Sequence, residues 1–325
     1  MRNSIYKWIL WMVAIIFVAI FPHVFSIYFT NVFLAFAIFS LYAVTLNLQL
    51  GYMGVLSFGH AMFFGTGAYA TALALTHIQG FPLLPAVLVG GLAGGLLALI
   101  LSPLLVRVSG TAFAMLTLAF GQLIFVLALK YREVTGGEDG IEGYPIPPLN
   151  IPGVVSIDMT DQINFYYFAV VVIAVCLLFL WFYTKTPFGS LVTAVRDNAM
   201  RIDYLGFKLP QTKAVNVIIS AAFAGIAGAV HALLQKLVST VGVLDIQASF
   251  EPIMMAYIGG VGSFFGPIIG SGVLRLLEDL VIRLTERIGL VNGAIFILVV
   301  LYAPMGVVGL FQSAKGKWFH NEKVS

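Results

Sequence analysis

Residues 31–50 read NVFLAFAIFSLYAVTLNLQL, twenty positions without a single Asp, Glu, Lys, Arg, Gly or Pro. About 18 apolar residues in a helix cross a hydrocarbon layer of roughly 30 Å, so this stretch reads as a spanning helix. Its surroundings say the same. After Lys7 the next formal charge is Arg107, so the 99 residues 8–106 carry none. Further charge-free runs cover 108–129, 162–184, 214–235, 252–274 and 289–314. Only 10% of the 325 residues are charged and 60% are apolar, against about 25% charged in a soluble domain. The long runs lack the sustained polar–apolar alternation of a barrel strand. Soluble, disordered and collagen-like classes are excluded, leaving an all-α polytopic membrane protein.

The remaining bulk features add little. Cys176 is the single cysteine, sits in an apolar run and has no internal disulfide partner. A net charge of +3, without a basic tract, gives no sign of nucleic-acid binding. Arg2 and Lys7 precede an apolar run as in a signal peptide, but no small-residue cleavage site follows, so an uncleaved first span is expected.

Breaks in apolarity divide the chain into spans at Lys7–Phe21, Asn31–Leu50, Ser57–Leu75, Leu83–Val106, Thr111–Leu129, Asn164–Tyr183, Thr212–Gln235 and Val291–Phe311. That makes about 8 full spans within one transmembrane domain, 1–325, plus a glycine-punctuated stretch, Ser249–Leu284, for 8–10 transmembrane helices in all. Cations in short loops face the cytoplasm. Arg2 and Lys7 place the N-terminus there, and Lys315, Lys317 and Lys323 place the C-terminus there too. The segment 185–213, with Lys185, Arg196, Arg201, Lys208 and Lys213, joins them. The loop 130–163 holds two cations against six acids and fits the outside. Parity then requires Ser249–Leu284 to begin and end on one side, as two short crossings or a re-entrant hairpin bent near Gly259–Pro267. Irregular backbone at membrane depth is tolerated where it lines a cavity or is buried in protein. Gly51-Tyr52-Met53-Gly54 before Ser57-Phe58-Gly59 looks similar to Gly259-x-x-Gly262 before Ser263. Such pairing is the pattern of inverted-repeat transporters, or a coincidence in a chain with 33 glycines.

Chemistry is sparse. No phosphate-binding G-x-x-x-x-G-K-[ST] loop and no Cys/His cluster with metal spacing is present, so neither a catalytic residue nor a metal site is expected. Within the spans, His60 reads as a neutral, hydrogen-bonded histidine ahead of a proton relay or substrate ligand. Glu251, just after Asp245, reads as interfacial. Arg275, Glu278, Asp279, Arg283, Glu286 and Arg287 have the spacing of a self-paired amphipathic helix at the interface. No acid stands alone in mid-membrane, which argues against proton coupling. In Pro187–Lys213, apolar Phe188, Leu191, Val192, Val195, Ala199, Ile202 and Leu205 recur at helical spacing, ending at Gly206. This helix either lies on the membrane surface or docks another subunit.

Residues 189–201, GSLVTAVRDNAMR, followed by Leu205-Gly206, resemble the cytoplasmic loop of branched-chain amino acid ABC transporter permeases of the LivM type. LNLQLGYMGVLSFGH (46–60), FAMLTLA (113–119), VTGGEDG (134–140), ISAAFAGIAGA (219–229) and IGGVGS (258–263) are similar to further blocks of that family, in the same order. Glu138 stands where members often carry a small polar residue, and Met305 where an Arg often follows the proline. The resemblance implies the permease half of a prokaryotic inner-membrane importer for branched-chain or related amino acids. Implied partners are a second homologous permease, two cytoplasmic ATPase subunits that use the ATP, and an extracytoplasmic substrate-binding protein. It also implies no cofactor of its own, a bilayer environment and no nucleic acid. By the same analogy Leu191, Val195, Arg196, Asp197, Asn198, Arg201, Leu205 and Gly206 couple to the ATPase. Gly51, Gly54, Ser57, Phe58, Gly59, His60, Gly259, Gly260 and Gly262 line the path, and Thr135, Gly136, Gly137 and Glu138 meet the binding protein. The competing class is an ion-coupled secondary transporter or channel for a small polar solute.

Overall fold

The apolar runs become helices in a computed structural model that describes residues 16–151, 155–282, 288–302, 306–307 and 309. The expectations resting on Arg2, Lys7, Arg283, Glu286, Arg287, Pro304, Met305, Lys315, Lys317 and Lys323 lie outside those residues. Helix α1 covers 16–24. It is followed by α2 (Ile27–Asn47), a π-helical turn at Leu48–Tyr52, α3 (Ala61–His77), α4 (Leu83–Leu105) and α5 (Thr111–Lys130). Four-residue α6 (Arg132–Thr135) and three short strands, β1 (Ile141–Glu142), β2 (Leu149–Ile151) and β3 (Val155–Ile157), occupy the stretch read as a loop. Then come α7 (Gln162–Lys185), α8 (Pro187–Asp197), α9 (Ala199–Tyr204), α10 (Leu209–Gln235), β4 (Leu237–Val238), α11 (Thr240–Leu244), α12 (Ile246–Gly259), α13 (Gly266–Ile282) and α14 (Ile288–Tyr302).

Five of these segments are long and apolar enough to cross a bilayer: Ile27–Tyr52, Leu83–Leu105, Thr111–Lys130, Gln162–Lys185 and Leu209–Gln235. At ~1.5 Å per residue, α12 and α13 span only about 21 and 26 Å. The protein is therefore an all-α polytopic membrane protein. Outward stripes such as Leu88, Leu92, Leu96, Leu99 and Ile100 on α4, and Val171, Val175, Leu178 and Phe182 on α7, are more than half exposed. They suit contact with lipid tails.

Lipid gives helices no hydrophobic reason to associate, so close packing of small residues must do it. α10 packs on α3 and α4 in this way. A Cβ on Gly67 would lie 2.2 Å from Gly225 O, one on Gly225 would lie 2.4 Å from Gly90 O, and one on Gly228 would lie 1.9 Å from Phe64 O. The same device closes the glycine-rich stretch. α12 and α13 form an antiparallel hairpin in which a Cβ on Gly270 would strike Met255 O at 1.8 Å. The bend falls at 260–265, inside the stretch where the sequence requires a reversal. Ser271 and Ser40 hydroxyls, 2.6 Å apart, join the hairpin to α2.

Two ends of the bundle are distinguishable. β1 pairs antiparallel with β4, Ile141 opposite Val238, which seats the 130–163 segment on the C-terminal end of α10. The Tyr144 hydroxyl donates to Ala232 O, and Asp161 caps α7 by accepting Ile163 N–H at 3.2 Å. Nearby Asp158 accepts Thr160 N–H at 2.8 Å, which holds its carboxyl below the usual aspartate value. At the other end lie α8, the π turn and the α12–α13 bend.

Replacing Gly228 with Val should destabilise the bundle by at least ~1–3 kcal/mol through overpacking. Gly293→Ala, where a Cβ meets open space, should be tolerated. Melting curves of the two purified variants in detergent check this.

Candidate functional site

A π turn shifts the helical hydrogen-bond register and leaves carbonyls needing other donors. At Leu48–Tyr52 those donors come from α10. Ser220 Oγ donates to Thr45 O at 2.7 Å, and Asn216 Nδ2 donates to Leu48 O at 3.0 Å. The Tyr183 hydroxyl fixes Asn216 by donating to its Oδ1 at 3.0 Å, and Gln49 Nε2 donates to Ser220 Oγ at 3.1 Å. Asn47, just before the turn, reaches the α12–α13 bend: its Nδ2 donates to Ser263 O at 2.9 Å, and its Oδ1 accepts Gly262 N–H at 3.3 Å. The two backbones are nearly in contact there, since a Cβ on Gly51 would sit 2.6 Å from Gly262 N. Gly54 and Gly262 have positive φ, +76° and +87°, which only glycine adopts without strain.

The amphipathic loop helix comes to the same place. Thr186 caps α8 by accepting Gly189 N–H at 3.1 Å, and Pro187 occupies the first turn, where its missing N–H is harmless. Arg196, at the far end, donates from Nη1 to Gly51 O at 2.5 Å. A Cβ on Gly54 would lie 2.6 Å from Arg196 Cγ. Asp197 holds the guanidinium from outside, 2.9 Å from Nη2 and 3.0 Å from Nε. The expected single helix through Leu205 is two: Asn198, at φ −159°, breaks it and caps α9 by accepting Arg201 N–H at 3.0 Å. Gly206 ends α9 at φ +85°, as the sequence predicts. Val192 and Val195 are buried against the chain's own helices and Leu191 is half-buried. Asp197, Asn198 and Arg201 are exposed, as are Met200, Tyr204, Leu205 and Phe207, so the outward apolar side chains cluster on α9 and just beyond it.

The rest of the 51–60 segment is packed. Gly59 presses on Thr117 O, 1.9 Å from where its Cβ would be, and Phe58 N–H donates to Thr117 Oγ1 at 3.2 Å. His60 is fully buried, stacks on Tyr42 at 5.5 Å and pairs its Nε2 with Thr45 Oγ1 at 3.0 Å. His60 Nδ1 and Ser57 Oγ find no partner among the described residues. Gly259 ends α12 against Gly266, whose carbonyl oxygen would lie 1.7 Å from a Cβ on Gly259, and Gly260 begins the bend. None of the nine residues expected to line the path, from Gly51 to Gly262, lines the two cavities that follow.

Between the π turn and the 130–163 end lies a cavity of about 380 Å³ walled by Phe39, Tyr42, His231, Gln235, Glu251 and Arg275. A neighbouring cavity of about 500 Å³ shares Gly242, Ala248 and Glu251 with it. Arg275 Nη2 is 2.8 Å from Glu251 Oε2, and Nη1 is 2.7 Å from Glu278 Oε2. The guanidinium lies 3.7 Å over the Phe39 ring. Glu251 is thus paired with Arg275, and its side chain stays 30% exposed.

Residues 28–303 match the family described as branched-chain amino acid transport system / permease component. The chain belongs to this family. It is similar to the high-affinity branched-chain amino acid transport system permease protein LivM of Salmonella typhimurium, 28% identical over 83% of this chain and 68% of that protein. The LivM of Escherichia coli matches with the same identity and coverage. The guanosine ABC transporter permease protein NupQ of Bacillus subtilis is 30% identical over 53% of this chain and 57% of its own. No solved structure matches.

In this permease the 135–138 stretch is a tight turn. Thr135 Oγ1 donates to Ala128 O at 2.6 Å, Gly136 and Gly137 have positive φ, and Gly137 O accepts Thr240 Oγ1 at 2.7 Å. Of the four, Glu138 is exposed and Gly137 buried. Sequence reasoning missed the cavity residues Phe39, Tyr42 and His231, and it singled out Glu251 and Arg275 without pairing them. A signal was present: Glu251 and Arg275 lie nearly equidistant from the bend at Gly262, so any antiparallel hairpin there brings them together.

Asn216→Ala removes the donor to Leu48 O and the acceptor of the Tyr183 hydroxyl. It should cost about 1–3 kcal/mol, the penalty for unpaired buried polar groups, read as a lowered melting midpoint of the purified permease.

Proposed function

We propose that this permease is the membrane-spanning subunit of an ATP-driven importer. Its partners are a second homologous permease, two cytoplasmic ATPase subunits and an extracytoplasmic binding protein, and its cargo is a branched-chain or related amino acid. The observation that carries the reading is Arg196 Nη1 on Gly51 O. It ties a helix of the most basic loop to the point where two glycine-broken segments touch. A helix docked on an ATPase can act on the path only through such a contact. Coverage favours an amino acid as cargo, since the LivM relatives align over 83% of the chain and the guanosine permease over 53%.

In this reading 185–213 and both termini are cytoplasmic, in a prokaryotic plasma membrane, and 130–163 is extracytoplasmic. The β1–β4 pairing supports it, because it joins 130–163 to the end of α10 remote from α8. The tail after α14 supports it as well: a Cβ on Gly306 would lie 2.4 Å from Gly260 N, at the α8 end. The span tally is then α1–α5, α7, α10 and α14, with α12–α13 entering and leaving on the outer side. Each half contributes one broken segment, as in an inverted repeat. The chain is one permease domain with the path between the two breaks. ATPase movement draws α8–α9 and Arg196 away from Gly51, Asn47 releases Gly262, and the path opens toward the cytoplasm. Thr135–Glu138 meets the loaded binding protein.

Arg196→Glu with Leu205→Asp should abolish co-purification with an ATPase and transport together; intact assembly in that double variant removes the coupling role. An impermeant thiol reagent should label Glu138→Cys from outside intact cells and Arg201→Cys only after the membrane is opened. Cys176 is buried and gives little background, and the reverse pattern overturns the topology.

A further inference from the structure

The geometry points to the Glu251–Arg275 cavity as the seat for a zwitterionic α-amino acid inside the membrane, its carboxylate on Arg275 and its ammonium on Glu251. This rests on the importer reading and names where that importer holds its cargo. Three observations carry it. First, the pair is partly buried, with the Arg275 and Glu251 side chains 19% and 30% exposed, and an ion pair taken partly out of water is a poor stabiliser, since desolvation offsets its attraction. A pair kept inside a membrane bundle therefore points to function. Secondly, the pair borders open space instead of being sealed in packing. Glu251 lines both cavities and Arg275 lines the first, whose ~380 Å³ falls in the range of small-ligand sites. Thirdly, hydrogen-bonding capacity is left over. Arg275 Nε and His231 Nδ1 are out of reach of water and have no partner among the described residues.

The fit is chemical on both sides. An α-amino acid carries a cation and an anion about one bond apart from a shared carbon, and the cavity offers an anion and a cation 2.8 Å apart. Entry of the zwitterion exchanges one protein–protein ion pair for two protein–ligand pairs, so no charge is left bare at any stage. Glu278, on Arg275 Nη1, holds the guanidinium while Nη2 changes partner. Phe39 and Phe64, which pack against the His231 ring at 5.6 and 5.4 Å, provide an apolar wall for an aliphatic side chain. A nucleoside has neither charge and would leave both Glu251 and Arg275 as they are. The Asn47–Gly262 contact closes the cytoplasmic end beneath the seat, so the cavity is reached from the binding-protein end.

The test uses the otherwise native importer in membrane vesicles. Ala248→Cys places a thiol on the shared wall of the two cavities, and a small methanethiosulfonate reagent is applied with L-leucine, leucinol or guanosine. L-leucine should slow modification and the other two should not; slowing by guanosine or leucinol alone, or by none, overturns the seat. The neutral triple variant Glu251→Gln, Arg275→Met, Glu278→Gln should still co-purify with the ATPase, which shows that it folds and assembles. Its leucine uptake should fall about 10- to 100-fold, as for loss of a charge-assisted contact. Uptake within twofold of the parent also overturns the seat. Loss of ATPase association in the parent importer would instead defeat the importer reading, and leucine protection of Ala248→Cys would still be read there independently.

Discussion

Hydrocarbon offers no hydrogen bonds, so every backbone group at membrane depth must be satisfied within the protein. This chain interrupts its helices twice within the packed bundle, at 48–60 and at 260–265, both near its α8 end. The freed groups are met by side chains from other helices: Asn216 and Ser220 of α10, Thr117 of α5, Asn47 of α2, and Ser249 of α12, whose hydroxyl accepts Ala61 N–H at 3.0 Å. Each break is thereby tied to its neighbours rather than left loose. The tertiary structure is most cross-linked where the secondary structure fails.

Around these ties the bundle divides into two close-packed groups. α3, α4 and α10 share glycine contacts at backbone distance, and so do the two arms of the α12–α13 hairpin. α2 runs between them, joined to one by Asn216 and Ser220 and to the other by Asn47 and Ser40. Small-residue packing has little room to deform, whereas the two groups are joined through α2 by side-chain hydrogen bonds. The Asn47 amide and the Arg196 guanidinium are the contacts of that kind at the α8 end.

Much of this was legible from hydropathy and glycine placement. The long spans, the reversal near Gly262 demanded by parity, the amphipathic helix before Gly206 and the two glycine-rich breaks all follow from local pattern. The break at Asn198 was not, because its side chain caps α9 only once α8 has ended. Val195 turns inward because α8 folds back on α7 and α10, an arrangement that the pattern of 187–205 alone does not specify. Glu251 looked interfacial because Asp245 stands near it and its partner Arg275 is 2.8 Å away only after the hairpin forms. Charges in a membrane protein are easy to count along the chain, but their pairing is a tertiary fact.

The strengths of the two charged contacts differ in a way that suits different tasks. Arg196 is about two-fifths exposed and its partner Asp197 more so, and exposed pairs of this type contribute ~0–1 kcal/mol. The Gly51 carbonyl bond adds no more than a charged hydrogen bond, ~1.5–3 kcal/mol. In the proposed importer, a contact of that size is weak enough to be broken and remade in each cycle by forces applied to α8 and α9. Arg275 is shielded, lies over Phe39 and is held by two carboxylates, so it exchanges partners only for a ligand carrying matching charge. Under the importer and seat proposed above, a weak contact at one end and a charge-matched one at the cavity let the path open without admitting an unmatched solute.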